Sequence, residues 1–60
     1  MDLEIYIGMK VKIEVLNGYY YVGKVINADE DSLELIDKNG KKVSLTKQVI
    51  LLIRECYNGN

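Results

Sequence analysis

A chain of 60 residues with a net charge of −1 forms one domain at most, and it buries only about 60% of the surface that its unfolded form exposes. Its eight Lys and Arg and nine Asp and Glu residues exclude a strongly basic coat for nucleic acid, and no apolar run approaches the ~20 residues that span a bilayer. Cys56 is the only cysteine and histidine is absent, so neither an internal disulfide nor a metal site is expected to reinforce the core. Oligomerisation is the remaining source of stability.

The first eight residues carry acidic side chains and lack the basic stretch that opens a secretory signal peptide. A single unpaired cysteine is typical of proteins in a reducing compartment. We therefore expect a cytoplasmic protein without a membrane partner.

The first half of the chain predicts a β-hairpin. Apolar and polar residues alternate from Lys10 to Leu16, which indicates a half-buried strand. Asn17-Gly18 follows, and this dipeptide is a strong hairpin signal. The long run from Tyr19 to Ala28 is rich in strand-forming residues, and Gly23 inside it predicts a bulge or sharp bend that helps a small sheet to curl.

The second half predicts three more strands. Ser32 to Asp37 alternates again and ends at the turn Lys38-Asn39-Gly40. Val43 and Leu45 share one face of a fourth strand, and Val49 to Ile53 forms the fifth. The sequence thus predicts an all-β domain over residues 1–60, a five-stranded SH3-like small barrel. The segment before Gly8 fits either a strand or one short helical turn, and Glu55 to Asn60 resembles a frayed tail.

Nothing in the sequence predicts catalysis. Histidine is absent and Cys56 has no partner that could activate its thiol, so we expect no enzyme, no catalytic residues and no cofactor. The acidic run Asp29-Glu30-Asp31 could hold a hard cation, but it suits a solvated turn better, and we expect no metal.

Two apolar or aromatic runs indicate binding. Successive strand residues face opposite sides, so in Tyr19-Tyr20-Tyr21 at least one ring lies outside the core, where it can stack on a base or line a peptide groove. The fifth strand is apolar on both faces, which is expected of a strand buried on both sides. We expect a second chain to cover it and predict an oligomer interface; the alternative is that the N-terminal segment folds over it. The predicted interface residues are Val49, Ile50, Leu51, Leu52 and Ile53.

The spacing from Val11 to Ile53 resembles the Sm-like family, which includes Sm and LSm proteins and the bacterial host factor Hfq. The family's first motif is matched in register, and its second motif is matched at apolar positions. The matching residues are Val11, Ile13, Val15, Gly18, Tyr21, Gly23, Val25 and Asp29, followed by Leu45, Ile50 and Ile53. The family's Met-Asn pair is replaced by Ser32-Leu33, and its Arg-Gly pair by Thr46-Lys47.

This resemblance implies a homo-oligomeric ring of about six or seven subunits that binds single-stranded RNA at its pore. By position, Lys47, Thr46 and Ser32 are what remains of the family's nucleotide pocket. A weaker resemblance, to Tudor and related SH3-like modules, rests on Gly18 to Tyr21, Lys24-Val25 and Asp37 to Gly40 and implies binding of a peptide. A structural assembly subunit without a ligand is the third alternative.

Overall fold

The computed structural model describes residues 2–56. Its five β-strands form one antiparallel sheet in the order β4-β3-β2-β1-β5, so the last strand returns to lie beside the first. The strands are β1 (Lys10–Val15), β2 (Tyr20–Ala28), β3 (Ser32–Asp37), β4 (Lys42–Thr46) and β5 (Ile50–Glu55). The prediction of a small all-β, barrel-like domain is confirmed. No helix in this part of the chain has the length and apolar character needed to cross a bilayer.

A single hydrophobic core lies on the inner face of the sheet. Every strand contributes at least one buried side chain to it, so the sheet curls around one cluster. The inward positions follow the alternation of the sequence, as with Leu33 and Leu35 on β3. The buried core residues are Leu3, Val11, Ile13, Val15, Val25, Leu33, Leu35, Leu45 and Ile50.

Both predicted Asn-Gly hairpins are confirmed. Gly18 and Gly40 have positive φ angles of 92° and 83°, a conformation that glycine adopts without steric cost. In the first turn the Asn17 side-chain oxygen accepts a hydrogen bond from the Tyr19 amide at 3.1 Å. In the second, Asp37 Oδ1 accepts bonds from the amides of Asn39 and Lys41.

Gly23 is required by a close approach of two backbones rather than by a bulge. A Cβ atom at this position would lie 2.8 Å from Asp37 Cα and closer still to the carbonyl oxygen of Ile36. The irregularity in β2 comes later, since the β2–β3 register shifts between Val25 and Asn27 and leaves Ile26 without a paired residue. The sequence predicted one bulge or bend at Gly23, whereas the structure has a close backbone contact at Gly23 and a separate bulge at Ile26.

The two ends of the domain differ from the simplest expectation. Leu3–Tyr6 forms a short 3-10 helix, whose first turn is capped by Asp2 through a bond from the Glu4 amide at 3.2 Å. The prediction of a frayed tail from residue 55 onward is wrong at its start, because Glu55 ends β5 and the Cys56 amide donates to the carbonyl of Lys10. The rest of that predicted tail, residues 57–60, lies outside the described residues.

Candidate interaction surfaces

Strands β4 and β5 are the two edges of the sheet. Within residues 2–56, β4 pairs only with β3 and β5 pairs only with β1. The outer side of each edge therefore presents backbone N–H and C=O groups that a further strand can pair with.

The side chains of β5 do not alternate regularly. Ile50 lies opposite Val15 and Leu52 lies opposite Glu14, so Leu51 is the extra residue of a bulge. Ile50 is only 8% exposed and belongs to the core, whereas Leu51 and Leu52 are 61% and 41% exposed. Among the predicted interface residues, Leu51 and Leu52 are thus available to another chain, and Ile50 is occupied inside its own domain.

The N-terminal segment does not cover this apolar strand. The 3-10 helix Leu3–Tyr6 packs mainly on β2 and β3, where Leu3 is fully buried. Val49 lies in a second 3-10 helix, Lys47–Val49, and is 36% exposed. Residues 2–56 therefore leave the exposed apolar surface at β5 open.

Ser32, Thr46 and Lys47, the residues predicted for RNA, lie together. Ser32 is paired with Thr46 across strands β3 and β4, and the Lys47 amide donates to the Asp31 carbonyl at 2.8 Å. This bond ties the start of the second 3-10 helix to the turn between β2 and β3. The three residues are thus neighbours at one end of the sheet.

The electrostatic surroundings of Lys47 are acidic. Asp2, Glu4 and Glu30 line the same surface pocket as Lys47, so this pocket has three acidic residues and one basic residue. Asp29 caps the adjacent turn. Its Oδ1 accepts backbone bonds from Asp31 and Ser32 at 2.8 and 2.9 Å, and these bonds lower the pKa of the Asp29 carboxyl below its ordinary value. This end of the domain is negative at neutral pH, which the sequence alone did not reveal.

The tyrosines do not gather into one cage within the described residues. Tyr20 is exposed on the outer face of the sheet, where Lys12 Nζ lies 4.4 Å from the centre of its ring. Tyr21 and Tyr6 are half-buried and pack against the core, whereas Tyr19 is exposed before β2. Tyr57 lies outside the described residues. The opposite orientation of Tyr20 and Tyr21 agrees with the strand alternation.

A second charged surface, the outer face of the sheet, was missed by the sequence reasoning. The register places Lys10 beside Lys24, and Ile36 between Lys24 and Lys42. The alternation of lysine with valine and isoleucine in β1 is a signal for this face, but the clustering of lysines from three strands needs the register. With Lys12 and Arg54, five of the eight Lys and Arg residues lie on this face.

The described residues offer no evident metal or redox centre. Within residues 2–56 no three carboxylate or thiol side chains are grouped to hold a metal ion, and Cys56 is a half-buried free thiol. Comparisons of the chain with models of protein families, with curated proteins and with solved structures gave no match.

Proposed function

We propose that this protein is a self-assembling subunit of Sm-like type, which forms a homo-oligomeric ring by pairing β4 of one copy with β5 of the next. The observation that carries the proposal is the edge strand β5, which exposes Leu51 and Leu52 beside an unpaired backbone edge. A long apolar edge is a hazard in a monomer, because it invites uncontrolled pairing. Closing a ring occupies both edges of every copy and leaves none open.

The energetics favour such pairing. Full burial of a leucine side chain is worth about 1.5–3 kcal/mol, so covering the exposed parts of Leu51 and Leu52 contributes a few kcal/mol at each interface. The paired backbones add hydrogen bonds of about 0.5–1.5 kcal/mol each. A domain of 60 residues has a small core, so this contribution is large relative to its own stability.

Single-stranded RNA is the ligand we propose for the ring. The supporting observation is the adjacency of Ser32, Thr46 and Lys47, because a ring repeats this cluster in every subunit and multiplies one weak contact. The carboxylates of Asp2 and Glu30 near Lys47 oppose phosphate, so the affinity is low and falls as salt rises. Substituting Lys47→Ala abolishes binding of labelled oligo-U, whereas Lys38→Ala, in the β3–β4 turn, changes it little. An intact ring that binds no oligonucleotide at low salt refutes this ligand and leaves the assembly role.

The assembly is tested by charging the apolar edge. Leu52→Lys and Leu51→Lys place a desolvation cost at the interface, so each reduces the ring to smaller species in sedimentation velocity. Ile26→Lys is the matched control for Leu52→Lys. Ile26 is 42% exposed, close to the 41% of Leu52, but it lies on the central strand β2. Rings that persist in both β5 variants contradict the proposal.

Hydrogen exchange separates strand pairing from simple contact between side chains. Outward-facing amides of β4 and β5 lack a strand partner within residues 2–56, so in a monomer they exchange quickly. In the ring we expect these amides, in Lys42–Thr46 and Ile50–Glu55, to be protected. Protection that is the same in Leu52→Lys monomers and in the wild type refutes pairing through these edges.

A further inference from the structure

The outer face of the sheet carries a strong local excess of positive charge. Lys10, Lys24 and Lys42 lie in one row across strands β1, β2 and β4, with Ile36 of β3 between the last two. In the next row Lys12 lies opposite Arg54 of β5. Asp37 and Glu55 line a pocket with Lys10 and Lys24 at the border of this face. Among the side chains that the register places on the face itself, five are basic and two are acidic. The acidic ones are Glu14 and Glu34, which the register places on the same side.

A cluster of acidic groups lies at one end of the domain, where Asp29 lines a surface pocket with Glu34 of the outer face. Leu3 is fully buried in the core, so the N-terminal 3-10 helix covers the inner face of the sheet. Asp2 and Glu4 of this segment line one surface pocket with Glu30 and Lys47. We call this surface, Asp2, Glu4, Asp29–Asp31 and Lys47, the acidic end. A chain of net charge −1 therefore has most of its basic side chains on the outer face of the sheet and a cluster of acidic ones at one end.

The two surfaces match each other in more than sign. The basic face contains the carboxylates of Glu14 and Glu34, and the acidic end contains one ammonium group, on Lys47. Each surface thus offers a minority charge that the other can satisfy. Both also expose apolar groups, since Ile36 is half-buried within the lysine row and Ile5, beside Glu4, is 59% exposed.

We propose that the outer face of the sheet is a docking surface for the acidic end of a second copy of this chain. The contact is heterologous, because it joins two different surfaces, and so it extends head to tail. It uses outward side chains, including Lys42 of β4 and Arg54 of β5, and not the backbone edges of these strands, so it can stack one proposed ring on another. Charge complementarity selects the partner. The acidic end brings Lys47 to Glu14 and Glu34, a contact that a nucleic-acid backbone cannot supply. Because docking covers Lys47, it excludes RNA from the site proposed above.

The contact is tested by exchanging charges between two variants. The face variant carries Lys24→Glu and Lys42→Glu, and the end variant carries Glu4→Lys and Glu30→Lys. All four positions are exposed, so we expect both variants to fold with wild-type circular dichroism. The face variant then has more acidic than basic side chains on both surfaces, and the end variant has three acidic and three basic side chains at its altered end, so neither variant alone keeps a complementary pair. A mixture restores one, because the end variant keeps the basic face and the face variant keeps the acidic end.

We expect the wild-type mass, measured by sedimentation velocity, to be at least twofold higher at about 0.01 M salt than at about 1 M, where charges more than about 3 Å apart are screened. Each folded variant alone keeps its high-salt mass at low salt, and an equimolar mixture regains the association. A mixture that stays dissociated, or a wild-type mass independent of salt, overturns the proposal.

Two controls distinguish the docking contact from the ring contact and from binding of nucleic acid. Leu52→Lys removes an edge contact and adds a positive charge beside Glu14 on the basic face, so its salt-dependent association persists even if its ring is lost. A 20-nucleotide single-stranded oligonucleotide, added at low salt, tests the rival partner. Binding of this oligonucleotide that is lost in the face variant, without association of wild-type copies, assigns the face to nucleic acid and overturns docking of a second copy.

Discussion

Replacing Gly23 with alanine is the most direct test of the close approach between strands β2 and β3. The new Cβ would lie 2.8 Å from Asp37 Cα and from the carbonyl carbon of Ile36. Ordinary contact between carbon atoms begins at about 3.5 Å, so strands β2 and β3 must separate locally by about 0.7 Å. The obstacle is backbone on a paired strand, which cannot turn aside as a side chain can.

The cost follows from the hydrogen bonds of the ladder. A separation of about 0.7 Å stretches a bond of about 2.9 Å to about 3.6 Å, at which it no longer counts as a hydrogen bond. Losing two such bonds costs about 1–3 kcal/mol, and overpacking adds about 1–3 kcal/mol. We therefore expect Gly23→Ala to lower the free energy of unfolding by about 2–6 kcal/mol. A domain of 60 residues has about 3–9 kcal/mol in total, so this substitution removes a large part of its stability.

Gly18→Ala is the matched control. A Cβ atom at Gly18 meets nothing within 4 Å, but the residue has a φ of 92°. Its cost is therefore conformational only, about 1–2 kcal/mol. Urea unfolding monitored by circular dichroism gives both values. If Gly23→Ala is no less stable than Gly18→Ala, the close approach of β2 and β3 does not require a glycine at position 23.

Three further predictions concern other parts of the fold. Leu3→Ala removes a fully buried side chain that joins the N-terminal helix to the core, and we expect a loss of about 2–5 kcal/mol in urea unfolding; a loss below about 1 kcal/mol contradicts this packing. Gly18→Val, with a β-branched residue at positive φ, is expected to be less stable than Gly18→Ala in the same assay. Hydrogen bonds from Asp31 and Ser32 hold the pKa of Asp29 below 3.8 in the folded chain, so its stabilisation is present above that pH and is lost as the pH falls further. The stability difference between wild type and Asp29→Ala should accordingly narrow below pH 3.8; a difference that is constant with pH refutes the assigned bonds.

Local signals were sufficient to predict the strands. Period-two alternation placed β1 and β3, and the Asn-Gly dipeptides placed both hairpin turns. These signals act between neighbours in the sequence, and they survive in the folded chain because tertiary packing agrees with them.

The orientation of β5 could not be predicted in the same way. In a run of five apolar residues every position can face the core, so the sequence does not show which side chains of β5 point inward. The bulge at Leu51 decides this by pairing Val15 with Ile50. For this reason a charge at Ile50 tests the core, and one at Leu52 tests the interface.

The charged surfaces depend on contacts between distant residues. Lys10, Lys24 and Lys42 become neighbours only through the strand register. The acidic surroundings of Lys47 arise because the N-terminal helix brings Asp2 and Glu4 to the turn that contains Glu30. The sequence did not determine the conformation of the N-terminal segment. It therefore could not predict that acidic side chains surround Lys47, the lysine predicted to bind RNA.

We propose that the open outer edges of β4 and β5 make this domain a ring-forming subunit. The mass of the wild-type particle tests this proposal most directly. Light scattering on purified protein at about 1 M salt suppresses charge-driven stacking and leaves edge pairing in place. We predict a single species of about six or seven times the 6.9 kDa chain mass that does not change on tenfold dilution. A stable, folded species of 6.9 kDa at every concentration would contradict the claim.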